Sequence, residues 1–222
     1  AVVAIIMERK LDKVYEDISE ENAVLTFAAP RAGTISVAET AARLDGWNPA
    51  DFDGAGLSVY KDGERIWPAE GDNPVVTDTP VTVPALPDIA VEAGDKLRFV
   101  VDIGRVGGTQ WGDTVIWPVT LSLSYEKGGR PTESKTYASP TPSHPDGQDT
   151  LWLYEGETVP VGSYFSGNFA PMTKQADGTY LGSAPTYKAK AGSPWDDDYL
   201  LCPNVEENAV RTFVVPKAGT VS

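Results

Sequence analysis

A seventeen-residue segment of this chain occurs twice: "EENAVLTFAAPRAGTIS" at 20–36 and "EENAVRTFVVPKAGTVS" at 206–222, 186 residues apart. Twelve of the seventeen positions are identical, and most of the rest are conservative: Ala28 to Val214, Ala29 to Val215, Arg31 to Lys217 and Ile35 to Val221. Self-similarity at one fixed spacing marks tandem units, and this spacing is the size of a domain, not of a solenoid repeat. Each copy reads as strand, turn, strand. "AVLTFAA" carries β-formers, "PRAG" supplies Pro and Gly for the turn, and "TISVAE" resumes the strand. The expectation is one full unit followed by the first strands of another, cut from a longer multi-module protein.

The rest of the chain supports an all-β unit. "GLSVYKDGERIWP" alternates up to Asp62-Gly63 and resumes with Arg65, Ile66 and Trp67, which is a hairpin pattern. "AGDKLRFVVDIG" places Leu97, Phe99 and Val101 on one face of a strand. "TVIWPVTLSLSYE" alternates Leu121, Leu123 and Tyr125 against Ser122 and Ser124. Gly, Pro, Asp and Asn separate these runs at short intervals, as in a β-sandwich or jelly roll. The one helical candidate is "AETAARLDG" at 38–46. After Tyr125 the composition shifts to Pro, Ser, Gly and Thr, and aromatics return from 151.

The predicted organisation follows. Residues 1–19 are the tail of a preceding unit or an N-terminal strand, and 20–127 are a jelly-roll-like β-sandwich. Residues 128–150 are a linker or long loop, 151–206 a smaller β-rich, loop-rich region, and 207–222 the start of a second copy. Val210, Phe213 and Val215 in that copy need an apolar host. Strand pairing of 207–222 with a sheet edge, within or between chains, is the expected solution.

Charge narrows the partners. Eighteen Lys and Arg against 32 Asp and Glu give a net charge of −14, which repels nucleic acid and anionic membranes. The apolar opening "AVVAIIM" is too short to span a bilayer and is followed, not preceded, by basic residues. No nucleic-acid partner and no membrane insertion are therefore expected. Cys202 is the only cysteine, so neither an internal disulfide nor a cysteine-based zinc site is available.

The run "GLSVYKDGERIWP…VEAGDKLRFVVDIG…GDTVIWPVTLSL" resembles galactose-binding-like jelly-roll carbohydrate-binding modules of secreted bacterial multi-module polysaccharide-acting or cell-surface proteins. The matching residues are Asp62, Gly63, Trp67, Gly94, Asp95, Phe99, Asp102, Asp113, Thr114 and Trp117, and the likeness covers roughly residues 20–126. It implies a non-catalytic extracellular or cell-surface module whose partner is a polysaccharide or glycan. Asp62-Gly63 reads as turn chemistry, and Trp67 and Trp117, inside strand patterns, read as core.

Sugar rings stack their C–H faces on exposed aromatics while nearby polar groups bond the hydroxyls, so tryptophans in loops draw notice. "RLDGWNPADFDG" holds Trp47 with Asp45, Asn48, Asp51 and Asp53. "GRVGGTQWGD" holds Trp111 with Arg105, Gln110 and Asp113. The candidate ligand-binding residues are Trp47, Trp111, Asp45, Asn48, Arg105 and Gln110, with Trp195 in "SPWDDDY" a further aromatic. Calcium prefers carboxylate and carbonyl oxygens, so Asp45, Asp51 and Asp53 form a candidate structural calcium site, and Asp196, Asp197 and Asp198 a second acidic run. Neither has the spacing of an EF-hand loop.

Catalytic signatures are weak. The single histidine, His144, lies in the Pro-rich "PSHPDGQD", no G-x-S-x-G is present, and "GRVGG" lacks the dinucleotide spacing. Two alternatives stand beside glycan binding: a structural or adhesin-type spacer of a repetitive surface protein, and a fragment of a carbohydrate-active enzyme.

Overall fold

The computed structural model describes residues 19–44, 54–102, 114–127, 130–138, 152–160, 166–177, 179–182, 190–191, 200–202 and 211–212. Its strands, in chain order, begin with β1 (Ser19–Ala28), β2 (Gly33–Val37), β3 (Thr40–Leu44), β4 (Ala55–Lys61), β5 (Glu64–Trp67), β6 (Val75–Val76) and β7 (Val81–Val83). Next come β8 (Leu86–Val91), β9 (Lys96–Asp102), β10 (Val115–Ile116), β11 (Thr120–Lys127), β12 (Arg130–Ala138) and β13 (Trp152–Pro160). Short strands complete the set: β14 (Phe169–Pro171), β15 (Thr173–Lys174), β16 (Tyr180–Leu181), β17 (Lys190–Ala191), β18 (Leu200–Cys202) and β19 (Arg211–Thr212). No helix occurs among the described residues.

The fold is an all-β sandwich. One sheet runs β14-β13-β19-β1-β9-β4-β5, with β6 added beside β4. Facing layers come from β15-β16-β17-β18-β10-β3-β7 and from β12-β11-β2-β8. Pairing is antiparallel except for β19 on β1.

The core forms because the period-2 pattern turns one set of side chains inward from each sheet. Phe27, Leu57, Val59, Leu97, Phe99 and Val101 come from the first sheet, and Ile35, Val37, Ala42, Val115, Leu121 and Leu123 from the others; all are buried. Trp117, in the connection from β10 to β11, stands edge-on to Phe99 with centroids 5.7 Å apart. Phe27 meets Tyr137 of β12 at 5.4 Å and Trp152 of β13 at 5.5 Å. Such edge and tilted contacts suit the ring quadrupoles and join β1, β12 and β13 through one aromatic cluster.

The expected strand–turn–strand of the first repeat copy is present as β1 and β2. The β4–β5 hairpin turns at Asp62-Gly63, where φ is 47° and 90°. Those left-handed values are what a two-residue turn with the strands' own twist requires. Trp117 is buried and Trp67, at the end of β5, half-buried. The edge strand β12 carries exposed Glu133 and Lys135, and the edge strand β8 contains the exposed Pro87; both features discourage further pairing.

Two sequence expectations are corrected. The helical candidate at 38–46 contains strand β3, in which Ala42 and Leu44 are buried and Ala41 and Arg43 exposed. The good helix formers there lose to cross-strand pairing with β10 and β7. Within the expected linker 128–150, residues 130–138 form β12, paired with β11 from Thr120↔Ala138 to Lys127↔Arg130. Its Ser, Thr and Glu residues suit an exposed edge strand as well as a loop. Strand pairing also crosses the expected boundary at 151. β13 lies against β1 over nine successive pairs, and β18 against β10, so strands between 152 and 202 share sheets with 20–127.

Candidate functional site

The two tryptophan-bearing segments, 45–53 and 103–113, are flanked by strands that pair with each other. β3 ends at Leu44 and β10 begins at Val115, and these two residues are cross-strand partners. β4 begins at Ala55 and β9 ends at Asp102, with Asp102 paired to Gly56. β3 and β10 belong to one sheet and β4 and β9 to another, so the strands that flank 45–53 and 103–113 are hydrogen-bonded to each other in pairs. The predicted ligand residues Asp45, Trp47, Asn48, Arg105, Gln110 and Trp111 lie outside the described residues. So do the calcium candidates Asp45, Asp51 and Asp53, the run Asp196–Asp198, Trp195 and His144.

The stems themselves are tightly packed and apolar at the core. Leu44, Ala55, Val76, Val101 and Val115 are all buried there. Gly54 has φ of 100°, and a Cβ on it would run into Val75 and Val76, so the entry to β4 needs glycine. Asp102 is 1% exposed. Its Oδ2 accepts a hydrogen bond from Asn73 Nδ2 at 2.6 Å, and Asn73 Oδ1 accepts from Arg65 Nη1 at 3.5 Å. A chain of polar groups from β5 therefore reaches the foot of the 103–113 loop. Charge-assisted bonds of this sort hold a buried carboxylate in place.

A second polar cluster, absent from the sequence-based expectations, ties β13 to β1 and β9. Glu155 is buried; its Oε2 accepts from Thr26 Oγ1 at 3.1 Å and from Arg98 Nε at 3.4 Å, and Lys96 Nζ lies 3.9 Å from Oε1. Burial pushes the Glu155 carboxyl up to about 6, against the pull of Arg98 and Lys96. The Arg98 guanidinium also lies over the Phe169 ring, 3.9 Å from its centroid. Two residues along β13, the fully buried Glu157 accepts at Oε1 from the backbone N–H groups of Ser166 (2.6 Å) and Gly167 (2.7 Å). The Tyr60 phenol is raised above its ordinary range, first by burial.

The signal for this cluster was the pair Glu155 and Glu157 alternating inside "LWLYEGETV". Carboxylates at alternate strand positions ordinarily face water. Here Thr26, Lys96 and Arg98 surround Glu155 and the turn before β14 holds Glu157, which only the fold reveals. These contacts act as a clamp that ties β13 to β1, β9 and the turn at 166–167. Among the described residues, no three His, Cys, Asp or Glu side chains are gathered as a metal site. No described helix is long and apolar enough to cross a membrane. Comparison with protein-family models, curated proteins and solved structures finds no match to this chain.

Proposed function

We propose that this chain is a non-catalytic polysaccharide-binding module that works outside the cell as part of a larger protein. The observation that carries this reading is the pairing of the loop stems, Leu44 with Val115 and Gly56 with Asp102. Two loops rooted side by side on a packed β scaffold can present Trp47 and Trp111 to one ligand. Stacking on these rings, with hydrogen bonds from Asp45, Asn48, Arg105 and Gln110 to sugar hydroxyls, is the proposed mode of binding. A calcium ion on Asp45, Asp51 and Asp53 would brace the first loop.

Affinity electrophoresis through gels containing soluble plant and microbial polysaccharides tests the reading. Retardation by at least one glycan is expected, with loss in Trp47→Ala and Trp111→Ala while circular dichroism and melting stay native. A chain that migrates freely in every gel overturns it. Melting in calcium against chelator tests the ion separately. The duplicated segment favours a second reading, a spacer or adhesin-type unit of a repetitive surface protein. On that reading both substitutions unfold the chain or change nothing.

A further inference from the structure

Strand β12 ends the sheet β12-β11-β2-β8, and among the described residues no strand lies on its outer side. The ladder beside it fixes where its backbone groups point. Ala38 N donates to Thr120 O, so Thr120 faces β2, and with it Ser122 and Ser124. Leu121, Leu123 and Tyr125 then face β12, where they meet Tyr137, Lys135 and Glu133. The N–H and C=O groups of Ser134, Thr136 and Ala138 therefore point away from the sheet. Ala138 O is already engaged, accepting from Trp152 Nε1 at 2.8 Å. That bond closes one end of the edge, and the register shift at Tyr125–Lys127 closes the other. Between these limits Glu133, Ser134, Lys135 and Thr136 are all exposed.

An open edge invites pairing, and charges on it turn most strands away. The order Glu133-Ser134-Lys135 makes one exception. An antiparallel copy of the same strand, centred on Ser134, sets Glu133 against the second copy's Lys135 and Lys135 against the second copy's Glu133. Ser134 then forms a hydrogen-bonded pair with its own counterpart. The two Glu–Lys pairs fall at the alternate positions, where side chains of facing strands lie closer. Moving the centre one residue either way brings Glu133 against Glu133 or Lys135 against Lys135, and like charges directly opposite repel. The charges thus select one register and one partner. Both are steadied from their own sheet: Tyr125 OH donates to Glu133 Oε2 at 3.2 Å, and Lys135 Nζ lies 5.2 Å from the Tyr137 ring centroid.

We propose that the edge of β12 is a self-recognition site, at which two copies of this chain join their sheets antiparallel about a two-fold axis through Ser134. Such an isologous contact closes on itself, so it yields a dimer and not a fibre. The contact is small, so the dimer is weak and forms at high protein concentration.

Sedimentation velocity of the full chain, over a concentration series up to ~1 mM, provides the test. At about 0.15 M salt the repulsion between two chains of net charge −14 is screened beyond roughly 8 Å. Dimerisation that rises with concentration is expected. Lys135→Glu and Glu133→Lys each set like charges face to face and should move its midpoint at least about tenfold higher. An equimolar mixture of the two variants restores both attractions, and a midpoint near that of the unmodified chain is expected. Monomers throughout overturn the proposal, as do midpoints unmoved in the single variants or a mixture that associates no better than either alone. Crosslinking gives an independent measure in a Cys202→Ser background. Ser134→Cys puts two thiols on residues about 5.5 Å apart at Cα, within disulfide reach. Thr136→Cys puts them four residues out of register, about 13 Å along the strand. Under mild oxidation the Ser134 variant is expected to give a covalent dimer and the Thr136 variant to stay reduced. Equal crosslinking of the two, or none at Ser134, overturns the proposal.

Discussion

The carboxylate of Asp102 occupies the space that a side chain at Gly56 would need. The two residues are cross-strand partners on β9 and β4, and a Cβ built on Gly56 meets both oxygens and the carboxyl carbon of Asp102. Asn73 holds that carboxylate with a 2.6 Å hydrogen bond, so it has little room to yield. The glycine and the aspartate are one packing unit at the root of the 103–113 loop.

Gly56→Ala should therefore destabilise the fold by about 1–3 kcal/mol, the usual range for forcing a methyl group into a packed site. Gly63→Ala provides the contrast. Nothing lies within 4 Å of its added Cβ, but its φ of 90° strains any L side chain. A loss of roughly 1 kcal/mol is expected there from backbone strain alone. Urea unfolding of both variants checks the pair. If Asp102→Ala restores stability to the Gly56 variant and not to the Gly63 variant, the loss at 56 is steric.

Asn73→Ala should remove a donor from the buried Asp102 carboxylate. Leaving a buried acceptor short of a partner costs about 1–3 kcal/mol. On the proposed glycan-binding reading, the same variant should also weaken retention in affinity gels, because Asp102 directly precedes the segment that carries Trp111. Retention unchanged at full loss of stability would separate the stem from binding.

Trp117→Ala should be severe, about 3–5 kcal/mol, since the ring is 1% exposed and edge-on to Phe99. Trp67 is half-buried at the end of β5, so Trp67→Ala should lose clearly less. Thermal melts followed by circular dichroism rank the two. Equal losses would contradict the burial difference.

Glu155 makes stability depend on pH in a definite direction. Its carboxyl is raised from 4.5 to about 6 in the folded chain, mainly by burial. Between those values the folded state binds more protons than the unfolded one, so this group's contribution to stability declines as pH rises from about 4.5 through about 6. Full loss of that contribution corresponds to a change on the order of 2 kcal/mol. Glu155→Gln should flatten that segment of the stability profile. Denaturant midpoints at pH 4.5 and pH 7.5, for both proteins, are the measurement. A wild-type minus variant difference independent of pH would show that Arg98 and Lys96 fully offset the burial.

The hairpin at Asp62-Gly63, the inward face of β9 and the alternation of β11 were legible because each depends on period-2 patterning and local turn chemistry. The strand β3 was not, since Ala41, Ala42 and Leu44 are good helix formers and β10 and β7 lie far away in the chain. β12 was missed for a related reason: polar residues serve an exposed edge strand and a loop equally. The tryptophans of the two loops could be named from sequence. The clamp of Glu155 and Glu157 could not, because a covered carboxylate and a solvated one have the same local sequence.

By itself the amino-acid order determined the strand patterning, the turns and much of the core, set by neighbours a few residues away, and it displayed the duplication of one segment. Tertiary structure alone decided which strands lie side by side: that Leu44 meets Val115 and that β13 joins β1. Sheets are built from contacts between residues distant in the chain, and the free energy of those pairings is invisible until the chain has closed on itself.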